Sequence, residues 1–154
     1  MADFFAKGNK PISGYGGADH GIYELWKNAN IGTSFAGQSI QITNFDSDKI
    51  DAIVVAVEMI LDENYGVQWF EFDKDVLNVP QYAGNMTVVF LDSSNSKCNM
   101  LSRFVKFSLS GTTLTITFLD GQVTTQNAIG SSATVSTDNR RLVPVRILGI
   151  IHND

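Results

Sequence analysis

The sequence predicts an all-β domain, an antiparallel two-sheet sandwich of jelly-roll-like type, preceded by a glycine-rich N-terminal arm. Three observations carry this. Apolar residues alternate with polar ones in the middle of the chain, as a strand with one buried face requires. Short apolar runs are separated by turn residues along most of the length. No segment combines a sustained helical period with a good cap.

The arm is residues 1–22 and the sandwich domain residues 23–154. Gly8, Gly14, Gly16, Gly17 and Gly21 crowd the arm, with Pro11 among them. Glycine is costly to order, so the arm has no strong structure of its own and reads either as a segment that orders against a partner or as a frayed tail. Ser39–Ile42 then alternates, with Ile40 and Ile42 on one side. Ile53–Leu61 is an almost unbroken apolar run that fits a central strand covered on both faces, although a short buried helix would show a similar run. Val67–Phe72 places Trp69 on one face and Phe70 and Phe72 on the other. Thr87–Leu91 is β-branched and apolar.

Leu101–Leu109 has its apolar residues mainly at odd positions, and Thr113–Phe118 at even ones. A two-residue turn at Ser110-Gly111 would set Phe107 opposite Leu114 and Val105 opposite Ile116. A second turn at Asp120-Gly121 would set Phe118 opposite Val123, giving a three-stranded meander. Leu142–Ile151 closes the chain. Pro144 cannot donate to a ladder, so this strand should lie at an edge or bulge there.

Composition narrows the function. The chain has 154 residues and a hydrophobic fraction of 44%, which suits one globular domain. A net charge of −5 argues against binding nucleic acid, since phosphates call for a basic face. The arginines Arg103, Arg140, Arg141 and Arg146 all fall in the last third, where a local basic patch could form. The single cysteine, Cys98, excludes an intrachain disulfide and reads as a small packed residue. Met1–Lys7 lacks the basic start and apolar run of a signal peptide. The longest apolar stretch, Ala52–Leu61, is far short of the ~20 residues a membrane helix needs. The expectation is a chain made in the cytosol, without export signal or membrane insertion.

The usual catalytic groupings are missing from the sequence, so the chain reads as a non-enzyme without metal or cofactor. His20 and His152 lie near the two ends, and neither has a His or Cys at ligand spacing. Asp46-Ser47-Asp48 begins like a calcium loop but lacks its glycine and distant glutamate, so it reads as a turn. Glu58 interrupts an apolar strand and is read as facing a polar edge or an inter-subunit pair. The candidate contacts for a ligand or partner are the aromatic residues Trp26, Trp69, Tyr65 and Tyr82.

Two segments carry a family resemblance. One runs Glu24-Leu25-Trp26-Lys27-Asn28-Ala29-Asn30, then Ser34-Phe35-Ala36-Gly37-Gln38-Ser39-Ile40-Gln41-Ile42, then Asp51-Ala52-Ile53-Val54-Val55. The other is Asn139-Arg140-Arg141-Leu142-Val143-Pro144-Val145-Arg146-Ile147-Leu148-Gly149-Ile150. With Thr115–Gly121 between them, they resemble small β modules of tailed-bacteriophage virion proteins: tail-fibre, baseplate and head-fibre appendages. There a "Leu-Trp" opening, a "Phe-Ala-Gly-Gln" strand entry and a closing "Ile-Pro-x-x-Ile-x-Gly-Ile" strand recur. This chain departs at the close, with Val143-Pro144 and Leu148 where isoleucine and tyrosine are frequent. The resemblance implies a sandwich fold, a place in the virion, and partners that are other virion proteins and copies of the chain itself, often as a homotrimer. It brings no catalytic residues. Recognition of host cell-surface polysaccharide through exposed aromatics is the competing expectation.

Overall fold

A computed structural model describes residues 21–30, 32–61, 64–78, 84–91, 97–127 and 132–151. Among them are ten strands and one 3-10 turn, Lys74–Asn78. Strands β1 (Gly21–Lys27), β3 (Ala52–Leu61), β4 (Asn64–Asp73) and β10 (Val143–Ile151) form sheet A, in the order β1-β10-β3-β4. Strands β2 (Gln38–Ile42), β5 (Gly84–Leu91), β6 (Lys97–Ser110), β7 (Thr113–Phe118), β8 (Gln122–Asn127) and β9 (Thr134–Thr137) form sheet B. All pairings are antiparallel. The sandwich expected from the sequence is therefore the fold. The other arm residues lie outside the described ones, but Gly21 and Ile22 already belong to β1.

The core lies between the sheets. Sheet A contributes Ile53, Val55, Val57 and Ile147; sheet B contributes Ile40, Leu101, Phe107, Leu114, Ile116 and Phe118. Phe72 and Phe107 meet across the interior at 5.1 Å between centroids. Central β3 is buried on both faces from Ala52 to Val57, as its continuous apolar run implies. On its outer side the registers set Arg146 and Trp69 beside Ala56, and Leu148 and Glu71 beside Val54. Stems of that length cover small apolar neighbours.

Pro144 sits inside sheet A, not at its edge. The β10–β3 register shifts between Pro144 and Arg146, so the bulge accommodates the missing donor. Asn28 closes the site: its side-chain amide donates to the Pro144 carbonyl at 3.0 Å, and its backbone N–H to that of Val145 at 2.9 Å.

The two hairpin expectations need correction. The β6–β7 turn is Gly111-Thr112, with Ser110 opposite Thr113, Phe107 opposite Ile116 and Val105 opposite Phe118. Gly111 has φ +58°, which suits the first central position of a two-residue hairpin turn. The Thr112 carbonyl also accepts the Phe45 N–H at 2.9 Å, tying the turn to a neighbouring loop. The displacement changes each partner by two residues, so inward residues stay inward.

The second expected turn does not form. β8 does not fold back on β7; both lie along β6, offset by one residue, with Leu101 opposite Val123. The kink at Leu119–Gly121 is held from outside. The Asp120 carboxylate accepts the Gly37 N–H at 2.7 Å, and the Asn139 side chain accepts the Gly121 N–H at 2.9 Å. A Cβ on Gly121 would lie 2.6 Å from the Asp138 carbonyl oxygen and 2.8 Å from an Arg103 nitrogen. The sequence-based meander missed this because local turn residues say nothing about the loops packed around them.

Arg103 dominates this corner. It projects inward from β6 and is fully buried. Its Nη1 donates to the Leu119 carbonyl at 2.7 Å, and its Nη2 to the Arg141 carbonyl at 3.1 Å and that of Asn139 at 3.5 Å. The guanidinium carbon lies 5.5 Å from the centre of the Phe35 ring. Burial pushes the guanidinium down to about 10 while Asp120 opposes the shift, so it stays charged at neutral pH. Leu142, beside one of these carbonyls, is fully buried at φ +47°, a strained value for a non-glycine residue. The arginines thus make no common basic patch: Arg140 and Arg141 pair with Asp138, and Arg146 lies 3.7 Å from Glu24.

Arg103→Met should destabilise the fold by about 3 kcal/mol or more, because buried carbonyls lose their donor; urea unfolding measures it. The pH dependence follows from two carboxylates. Gly37, Asn139 and Arg103 hold Asp120 below the usual range. Partial burial works to raise Asp138, but Arg140 and Arg141 outweigh it and the net shift is downward. A depressed carboxylate stabilises the fold above its unfolded value of about 4 and stops doing so as pH falls through the folded value. Urea midpoints should therefore drop below about pH 4, and Asp120→Asn should make that drop shallower.

Candidate association surfaces

The four aromatic candidates do not converge. Trp26 and Trp69 lie on opposite faces of sheet A. A register shift between Glu24 and Trp26 turns the Trp26 indole inward, opposite Ile147. There it packs on the core and meets Phe35 edge-on at 6.4 Å. Trp69 stands outward opposite Ala56 and is 51% exposed. Tyr65 falls on β4 opposite Ile60, its side chain outside the described residues, and Tyr82 lies outside them altogether. The two tryptophans therefore do not share one exposed surface.

The outer face of sheet A is charged. Glu24 on β1, Arg146 on β10, Glu58 on β3 and Glu71 and Asp73 on β4 all fall on it by register. Trp69 and Val67, the latter 50% exposed, stand beside each other on edge strand β4. Glu58 lies on the internal strand β3, and its Oε2 is buried without a hydrogen-bond partner.

The outer face of sheet B differs. Its positions on β2 are Ser39 and Gln41, on β7 Thr113, Thr115 and Thr117, and on β8 Gln122, Thr124 and Gln126. β6 adds Met100, Ser102, Phe104, Lys106 and Ser108, and β5 adds Asn85, Thr87 and Val89. The Ser39 and Thr117 hydroxyls bond each other at 2.8 Å. Lys106 is the one charged residue among the described outward positions. One cross-strand row runs Val135, Thr124, Met100, Val89 through four strands. At its two ends Val135 is 61% and Val89 59% exposed. Sequence reading passed over this face because each of its residues is individually ordinary; only the registers bring them together.

Two clefts flank the loop between β2 and β3, each of about 290 Å³. Tyr23, Asn44, Asp46 and Lys49 border the first over a floor of Leu25, Ile50 and Ile151. Asp46-Ser47-Asp48 is a turn: the Asp46 carbonyl accepts the Lys49 and Ile50 N–H groups, and its carboxylate that of Asp48. Among the described residues no cluster of His, Cys, Asp or Glu is arranged to hold a metal ion. No helix among them is long and apolar enough to cross a membrane.

Trp26→Ala should cost about 2–3 kcal/mol, as loss of a packed ring does, and Trp69→Ala less than about 1 kcal/mol. The two tryptophans also allow an optical check. Acrylamide should quench Trp69 in Trp26→Phe strongly, and Trp26 in Trp69→Phe weakly. No protein-family model, curated protein or solved structure matches this chain.

Proposed function

We propose that the chain is a non-enzymatic structural component of a tailed-phage particle, a fibre, baseplate or head appendage that works by self-association. One observation carries the reading: Val67, Trp69, Val89 and Val135 are half or more exposed on the outer faces of the two sheets. Apolar groups of this size, displayed on regular strands, suit burial against another protein surface better than water. The resemblance of residues 24–55 and 139–150 to phage virion modules supplies the biological setting, and trimeric assembly is what those modules lead one to expect. In such an assembly a ring closes through two different patches on each subunit.

A carbohydrate-binding reading is favoured by the cleft at Tyr23, whose phenol, amide, carboxylate and ammonium neighbours suit a polyhydroxylated ligand. It ranks second, because the two tryptophans it would call on face opposite ways.

Sedimentation velocity of the purified chain at micromolar concentration should give the mass of three 16.9 kDa subunits. A stable monomer there would overturn self-association.

A further inference from the structure

We infer that the outer face of sheet B is the surface through which this chain binds a second copy of itself; the inference rests on the self-association proposed above. The observation is the contrast between the two outer faces. Sheet A presents Glu24, Glu58, Glu71, Asp73 and Arg146 outward. Sheet B presents Lys106 alone among its described positions. Exposed surfaces ordinarily carry charge at about a quarter to a third of their residues. Depletion of charge marks the buried centre of protein interfaces.

Charge also selects the occupant. The chain carries a net −5, so copies repel least where one of the two meeting patches is free of carboxylates. Sheet B supplies that patch. Its hydroxyl and amide groups both donate and accept, so this face can bond to a different patch on the next subunit, as closing a ring of three requires. Area agrees as well. At about 3.4 Å per residue and about 4.8 Å between strands, sheet B offers a flat area of about 700 Å². A standard stable interface buries about 800 Å² on each partner. The Val135–Thr124–Met100–Val89 row then forms a seam, apolar but for the Thr124 hydroxyl, about 14 Å across three strand spacings, inside a polar surround.

The experiment uses the full chain and the variants Val89→Glu, Val135→Glu and Trp69→Glu. Thermal melting confirms that each folds; the substituted side chains are half or more exposed, so the fold tolerates them. Sedimentation velocity across a concentration series, with dextran affinity electrophoresis beside it, reads the result. If sheet B is the interface, Val89→Glu and Val135→Glu each weaken self-association about 100-fold or more, since each buries an unpaired like charge. Trp69→Glu then leaves it within a few-fold of the unaltered chain. Dissociation by Trp69→Glu with no effect of the two sheet B changes overturns the inference while leaving self-association standing. A monomeric unaltered chain overturns both. If that monomer also binds dextran, and the sheet B changes abolish the binding, the occupant is a neutral polysaccharide and not a second copy.

Discussion

A single buried guanidinium organises the sandwich. Arg103 sits in the inward series of β6 between Leu101 and Val105, where a hydrophobic residue would ordinarily be. Placing a charge there costs desolvation free energy, and the carbonyls of Leu119, Asn139 and Arg141 offset it. These carbonyls belong to two different links: the kink from β7 to β8 and the loop from β9 to β10. The Phe35 ring beside the guanidinium adds the link from β1 to β2. One side chain therefore fixes three connections that have no ladder to hold them. The Nε of Arg103 has no partner, which leaves the arrangement slightly short of complete satisfaction.

That hub also explains why sheet B has its shape. β7 and β8 are two pieces of one long strand along β6, interrupted where Arg103 reaches the Leu119 carbonyl. The break gives β2 and β9 separate places along the same side. The result is a broad outer surface assembled from short pieces. Each piece contributes polar residues outward, because its inward positions are already taken by the core.

Much of this was legible from alternation. The inward sets of β2, β4, β6 and β7 were readable from period two alone, and the doubly covered β3 from its unbroken apolar run. Pro144 pointed to an edge or a bulge, and the bulge is what sheet A contains. The Gly111 turn was off by one residue without changing any face, because both registers have the same parity. What alternation could not supply was context. It put Arg103 in the inward series but could not show three carbonyls waiting there. It could not tell Trp26 from Trp69, since their opposite orientations depend on a bulge in β1. The β9 strand, Thr134–Thr137, is exposed along its length and has no apolar pattern to announce it. The face with so little charge was invisible for a related reason: it is a property of six strands at once.

The order of strands in sheet A has a consequence for synthesis. β3, the most apolar strand, pairs on one side with β4, its immediate successor, and on the other with β10, the final strand described. Roughly eighty residues separate Leu61 from Val143. At about 5–20 residues per second, a ribosome takes several seconds to deliver β10 after β3 has emerged. For that interval one ladder edge of β3 has no partner within the nascent chain, and neither does β1, whose ladder neighbour is also β10. Nascent copies on neighbouring ribosomes would meet with these edges open, a route to wrong pairing that the closed sandwich no longer offers.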